Sequence, residues 1–275
     1  MNEVKMPAML AAQTMLLEPR AAAAILSQLQ IGPQTGEPER WRKARELFAP
    51  RTDIRDGIGV LEITGALAYR PDLGDIIFDG VEDSAAVAEA FSSLEANPKV
   101  AGIVLNVNSP GGFSVGGAEI ADAVFGASKP VVAWTGGMMC SLAYWIGSQA
   151  DAVVAARSAM IGSIGAYVSL VDFHRMLISA GIEVKVFRNA EGTFKAAGIP
   201  GTEIPREHAE EFQRSAQRAF ETFRADVLRA RPGIGTEAMR GQVFDGQQAK
   251  QAGLIDAIGG LDYALAVAKH LFARS

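Results

Sequence analysis

One cysteine, Cys140, and three histidines, His174, His208 and His270, are all the soft ligands and neutral-pH bases that the 275 residues offer. A lone cysteine forms no internal disulfide and no cysteine-based zinc site. The histidines lie far apart in sequence, so no metal cluster is suggested. Positive charge is also short. Lys and Arg number 26 against 31 Asp and Glu, for a net charge of −5, which argues against a nucleic-acid binder driven by a basic surface. Long apolar runs are interrupted. The longest uncharged stretch, 130–150, has Gly136-Gly137 in its middle and carries Thr135, Ser141, Ser148 and Gln149. It reads as a buried strand, a glycine turn and a buried helix rather than a membrane span. The apolar N-terminus is broken by Gln13, Thr14, Glu18 and Arg20. It reads as an amphipathic helix with a turn at Pro19, not as a leader or anchor, and a soluble protein is expected. Chemistry is left to serine, lysine, aspartate or backbone groups.

What is present suits a packed core: 49% of residues are hydrophobic and 21% charged. The segment 31–55 is rich in Pro, Gly, Glu and Arg, and reads as a linker, so an arm over 1–56 and one domain over 57–275 are expected. From residue 57 strands and helices alternate. Strands are predicted at 58–63, 100–107, 130–135, 152–155 and 183–187, the second a near-continuous apolar run as in strands buried on both faces. Helices are predicted at 84–96, 116–125, 138–149, near 173–180, and at 205–230, 247–252 and 263–271. Asp83 or Ser84 is the expected cap of the first. This βαβ spacing predicts an α/β domain with mainly parallel strands. Trp134, Tyr144, Trp145 and Phe125 are placed in the core. His174 and His208 are placed at the surface, and Asp245 and Asp256 at turns and helix ends.

Three strand-to-loop junctions carry candidate chemistry. In Asn108-Ser-Pro-Gly-Gly112, proline fixes φ and two glycines free the backbone, so amide groups can point into a cleft and receive an oxyanion. An ordinary turn fits as well. In Gly136-Gly-Met-Met-Cys-Ser-Leu-Ala-Tyr-Trp145, Ser141 at a helix start is either a cap or a nucleophile whose oxyanion the helix dipole and next N–H stabilise. Cys140 is the rival nucleophile, but with no well-placed histidine it reads as a small core residue. In Arg188-Asn-Ala-Glu-Gly-Thr-Phe-Lys-Ala-Ala-Gly198, Lys195 sits among apolar neighbours. It is either a solvated loop lysine or one desolvated enough to act as a base.

The order Ser-Pro-Gly-Gly, helix-starting Ser, Gly162-Ser-Ile-Gly165 and then Lys resembles the signal peptide peptidase A family of serine peptidases, family S49. The likeness runs from about residue 57 to 260 and includes Gly241-Gln-Val-Phe-Asp-Gly-Gln-Gln-Ala-Lys-Gln-Ala-Gly-Leu-Ile-Asp256. It implies a crotonase-like or Clp-protease-like α/β fold of repeated ββα-type units. It also implies a Ser–Lys dyad: Ser141 as nucleophile, Lys195 as general base, the N–H groups of Gly112 and Leu142 as oxyanion hole, and Ser163 orienting the lysine. No metal or cofactor is implied. Leu142 and Ala143 stand where the cellular enzymes commonly have two glycines. Leu17-Glu-Pro19 and Met139-Cys-Ser141 look like the phage head-maturation (prohead) protease branch, related to minor capsid protein C.

The resemblance therefore implies a serine endopeptidase that cleaves scaffold or capsid proteins, with its own arm as a further target, within the host cytoplasm or prohead. Peptide and protein substrates and a homo-oligomer are the expected partners. Alternatives are a host enzyme degrading signal-like hydrophobic peptides, a catalytically silent capsid-assembly protein of the same fold, and an acyl-CoA hydratase or isomerase. The last would need carboxylates in the cleft. Met138, Met139, Leu142, Phe113 and Phe194 are the candidate walls of the substrate pocket.

Overall fold

The computed structural model describes residues 48–274, and the helix read near the N-terminus lies outside them. Two compact units are present: one runs to Ile164 and resumes at Asp226, and the other is Gly165–Ala225.

The first unit is organised by a parallel sheet. Strands β1 (Thr52–Arg55), β2 (Ile58–Ala68), β3 (Glu82–Asp83), β4 (Gly102–Gly112), β5 (Val131–Thr135), β7 (Ala152–Ala155) and β10 (Ala257–Ile258) belong to it. The order is β3–β2–β4–β5–β7–β10, all neighbours parallel, with β1 antiparallel on the outer edge of β2. Consecutive residues Val60, Leu61 and Ile103, Val104, Leu105 are all buried, as a sheet covered on both faces requires. β1 falls within the segment read as a linker; its four residues are exposed and hold on through pairing alone.

Helices α1 (Leu73–Asp79), α2 (Ser84–Ala96), α3 (Gly117–Phe125), α4 (Leu142–Ser148), α7 (Gly246–Gln251) and α8 (Leu261–Phe272) complete this unit, with the last turn of a long helix described below. Asp83 caps α2 through Ala85 N–H, and Val87, Phe91 and Leu94 form its buried stripe. Ala264 and Ala268 of α8 are small enough to lie against Ile58, Val104, Val132 and Val154 on four adjacent strands. Asp245 caps α7 in a reciprocal box with Gln248. Asp256 accepts Val153 N–H (2.7 Å) and pairs with the largely buried Arg231 side chain (2.6 Å), so both carboxylates sit where the sequence suggested.

A second, smaller sheet branches from the end of β4. Ser109 pairs with Met139 of β6 (Met138–Cys140), β6 pairs parallel with β8 (Met160–Gly162), and β8 pairs antiparallel with β9 (Val243–Phe244). The predicted helix 138–149 is thus corrected. Its first three residues are strand, because the free edges of β4 and β8 offer them a ladder, and the helix begins only at Leu142. Phe125 is also corrected: it is 48% exposed and lies under the Arg229 guanidinium, 4.2 Å from its ring centre. Trp134 is only partly buried and donates its indole N–H to Gly259 O. Tyr144 and Trp145 are in the core.

The second unit holds α5 (His174–Ser179) and the start of α6 (Arg206–Ala230), whose last turn belongs to the first unit. Glu211 on α6 receives both Arg214 and Arg218 at 2.9 Å. These pairs are solvated and contribute little. His174 Nδ1 lies 3.1 Å from Gly201 O, and His208 Nε2 lies 2.9 Å from Thr193 O. The predicted strand 183–187 has no regular structure, because this unit contains no sheet edge on which its backbone could pair.

Candidate active site

The Ser-Pro-Gly-Gly turn ends β4, and each residue has a separate job. β2 and β4 pair in register from Ile58↔Gly102 to Thr64↔Asn108 and resume at Ala66↔Gly111. Ser109 and Pro110 therefore bulge out opposite Gly65. The buried Ser109 hydroxyl accepts Gly111 N–H at 3.1 Å and holds the turn. Gly111 has φ +106, and a Cβ there would stand 2.6 Å from Ser141 Cβ and 2.9 Å from Leu142 N. The turn is thus pressed against the residue that sequence reasoning nominated. Phe113 N–H donates back to Leu67 O of β2 (2.9 Å).

Ser141 follows the last residue of β6 and precedes α4. Its backbone sits at φ 52, ψ −125, and its side chain makes no capping hydrogen bond. The helix-cap reading therefore fails. A non-glycine residue held at positive φ costs about 1–3 kcal/mol, sustained only where the surroundings over-determine it. Those surroundings are present: Ser141 N–H donates to Gly162 O (2.8 Å), Ser141 O accepts Trp145 N–H (2.9 Å), and every residue of α4 is buried. Tyr144 Oη donates to Leu254 O, and Trp145 Nε1 to Asp226. The result is a serine aimed by a rigid frame.

Cys140 is buried beside it. Desolvation pushes the thiol up to about 11, and Sγ lies 3.5 Å from Met160 O. A neutral, buried thiol is a poor nucleophile. Ser163 occupies the matching place on the neighbouring strand. Cys140 pairs with Gly162, so Ser141 and Ser163 each follow the last paired residue of adjacent parallel strands. Ser163 also has φ 52 and is held by Gln242 O through its N–H (2.6 Å).

Lys195 belongs to the second unit, in a tight turn where its N–H donates to Gly192 O (2.9 Å). Its side chain is exposed and Phe194 is 47% exposed. Its own loop therefore supplies none of the desolvation that its apolar neighbours suggested. Among the described residues no group of three His, Cys, Asp or Glu could hold a metal ion, and no helix is long and apolar enough to cross a membrane.

Comparison with known proteins decides the family. The model of peptidase family S49 matches residues 123–274, more than half the chain. The chain belongs to peptidase family S49. The Clp protease model matches residues 76–162 of this S49 chain, in keeping with the fold expected. It is similar to the head-tail preconnector protein GP5 of Enterobacteria phage P21, 29% identical over 220 residues, covering 78% of this chain and 43% of that protein. It is also similar to the capsid assembly protease C of Escherichia phage lambda, 26% identical over 229 residues, covering 82% and 50%. Protease 4 of Salmonella typhi is 34% identical over 208 residues, covering 71% and 33%. The chain spans half or less of the length of these three relatives. Among solved structures, an enoyl-CoA hydratase/isomerase family protein from Silicibacter pomeroyi matches with TM-score 0.48 at 15% identity, over 82% of this chain and 83% of that one.

Leu142 and Ala143 are both buried, and Leu142 fills the space that a side chain on Gly117 would need. Of the five candidate pocket walls, Met139 and Leu142 are core residues, whereas Phe113 stands exposed beside the turn. Sequence reasoning did not assign Ser109 or Leu67 a part. Their signal is tertiary: one braces Gly111 from within, the other accepts from Phe113 across the sheet.

Proposed function

We propose that this S49 chain is a serine endopeptidase working by a Ser141–Lys195 dyad. The observation that carries the proposal is Ser141 itself, a serine at positive φ that caps nothing and lies against Gly111. In the proposed reaction neutral Lys195 takes the Ser141 hydroxyl proton as Oγ attacks the peptide carbonyl. The N–H groups of Gly112 and Leu142 are assigned to receive the oxyanion; the close approach of Gly111 to Ser141 and Leu142 supports this role. The ammonium then protonates the leaving amine, and water resolves the acyl-enzyme with the lysine again as base. Ser163, one strand over from Ser141, is assigned to orient the lysine.

Capsid or scaffold protein is the proposed substrate, cleaved inside a phage prohead, on the strength of the two phage relatives. The likeness to Protease 4 favours the cellular alternative, cleavage of hydrophobic peptides. A homo-oligomer is proposed as well, because the second unit exposes Tyr167 (87%) and Phe187 (91%), a costly display for a lone protomer. Light scattering is expected to give a multiple of the 29.1 kDa protomer; a monomer at micromolar concentration refutes the oligomer.

Fluorophosphonate labelling followed by peptide mapping tests the nucleophile. Wild type and Cys140→Ala are expected to be labelled to the same extent at Ser141, each then losing casein and scaffold cleavage. A probe found on another residue, or labelling lost with Cys140→Ala, removes Ser141 from the role. No labelling in either favours the silent assembly reading.

A further inference from the structure

We infer that Glu82 is a positioning residue for the oxyanion turn, its carboxylate setting the β2 side of the register slip against which Gly111 and Gly112 are placed. The inference rests on the proposed role of that turn. Glu82 lies on β3 directly across from Leu67, and Leu67 lies directly across from Gly112. One row therefore runs from the carboxyl through β2 to the turn. The Glu82 side chain reaches along β2 and accepts the N–H of Thr64. Thr64 is the last residue paired in register before β2 and β4 slip, and pairing resumes at Ala66↔Gly111. Gly65, between them, has φ +70, and its α-carbon lies so close to Gly80 O that a Cβ would stand 2.3 Å away. The carboxyl thus holds one shoulder of the slip, while Leu67 O, accepting from Phe113, holds the other.

A carboxylate is an unusual choice for such a task, because burial pushes Glu82 up to about 7 and nearby Glu62 opposes its charge further. Its other neighbours do not offset this. Asp83 is turned to the N–H groups of Arg70 and Ala85, Asn106 and Asn108 across β2 are neutral, and α2 carries no ionisable group before Glu89. Above about pH 7 the group is ionised and its bond to Thr64 N–H is charge-assisted. Below that it is a neutral acid and the bond is roughly half as strong. The turn is therefore held more firmly on the alkaline side.

The test compares full-length wild type, Glu82→Gln and Glu82→Ala between about pH 5 and 9. Two readouts are taken: the rate of fluorophosphonate labelling at Ser141, and amide hydrogen exchange over residues 108–113 corrected for intrinsic rates. Wild type is expected to show an approximately fivefold rise in labelling centred near pH 7, with exchange slowing in step. Glu82→Gln keeps the neutral hydrogen bond, so it stays at the acid level of both readouts and lacks the rise centred near pH 7. Glu82→Ala loses the bond altogether and lies lower in labelling and faster in exchange at every pH. Glu82→Gln superimposing on wild type in both readouts overturns the inference and leaves Ser141 untouched. Labelling absent from all three proteins overturns the Ser141 reading instead, and hydrogen exchange then decides Glu82 alone.

Discussion

Ser141→Ala is expected to lower kcat/KM on casein by about 10⁴-fold or more, and Lys195→Ala by a comparable factor. The double variant is expected to be no worse than the weaker single. A nucleophile and its base act as one unit, so losing either forfeits the covalent pathway and losing the second removes nothing further. What survives is catalysis by the turn alone, on the order of 10³-fold over water in comparable serine enzymes. Both substitutions should leave thermal stability unchanged, since Ser141 makes no capping bond and Lys195 is an exposed loop residue. Effects of the two that multiply in the double variant would show that they act independently. More than a tenth of wild-type activity in Ser141→Ala would dismiss the dyad.

Gly112→Ala is expected to be the most damaging methyl that can be added to the turn. The new Cβ would stand 1.9 Å from Leu67 O and 2.6 Å from Leu67 N, backbone atoms of β2. Backbone in the middle of a sheet cannot swing aside as a side-chain end can, so either the β2–β4 pairing opens or the turn moves. A cost of about 3 kcal/mol or more follows, which lowers Tm by roughly 6–12 °C in a chain of this size. Activity should fall even below the melting range. Gly233→Ala is the control: its Cβ would meet nothing within 4 Å and its φ is ordinary, so Tm should shift by no more than about 1–2 °C. Equal melting of Gly112→Ala and Gly233→Ala would contradict the packing described for the turn.

The same comparison shows how far local pattern reaches. Helix 84–96 was legible in its bounds because Asp83 and Ser84 both offer a cap and Val87, Ala90, Phe91 and Leu94 share a face; the structure chose Asp83 as the cap. The strand at 152–155 was legible too, since a short apolar run between Asp151 and the following turn has few other uses. The strand Met138–Cys140 was not. Three apolar residues carry no period of their own, and only the open edges of β4 and β8 make them a strand. Residues 183–187 erred in the other direction, where a fair alternating pattern found no ladder.

For the candidate site, the sequence by itself determined the chemical alphabet. Too little histidine and cysteine narrowed the chemistry to serine, lysine, aspartate or backbone groups, and the residues alone left each junction open between structure and catalysis. The nucleophilic serine and the S49 arrangement were legible only through the resemblance carried by the order of the four motifs, whereas proline and glycine mark the turns because they impose their constraints within a few bonds. Tertiary structure alone decided that Ser141 is no cap and that Leu142 belongs to the core, while the reading of Cys140 as a core residue came from the sequence and agrees with its burial. It alone brought Gly111 against Ser141 and ran a row from Glu82 through Leu67 to Gly112. The reason is physical: burial, backbone strain and cross-strand register arise from residues far apart in sequence, and no window along the chain contains them together.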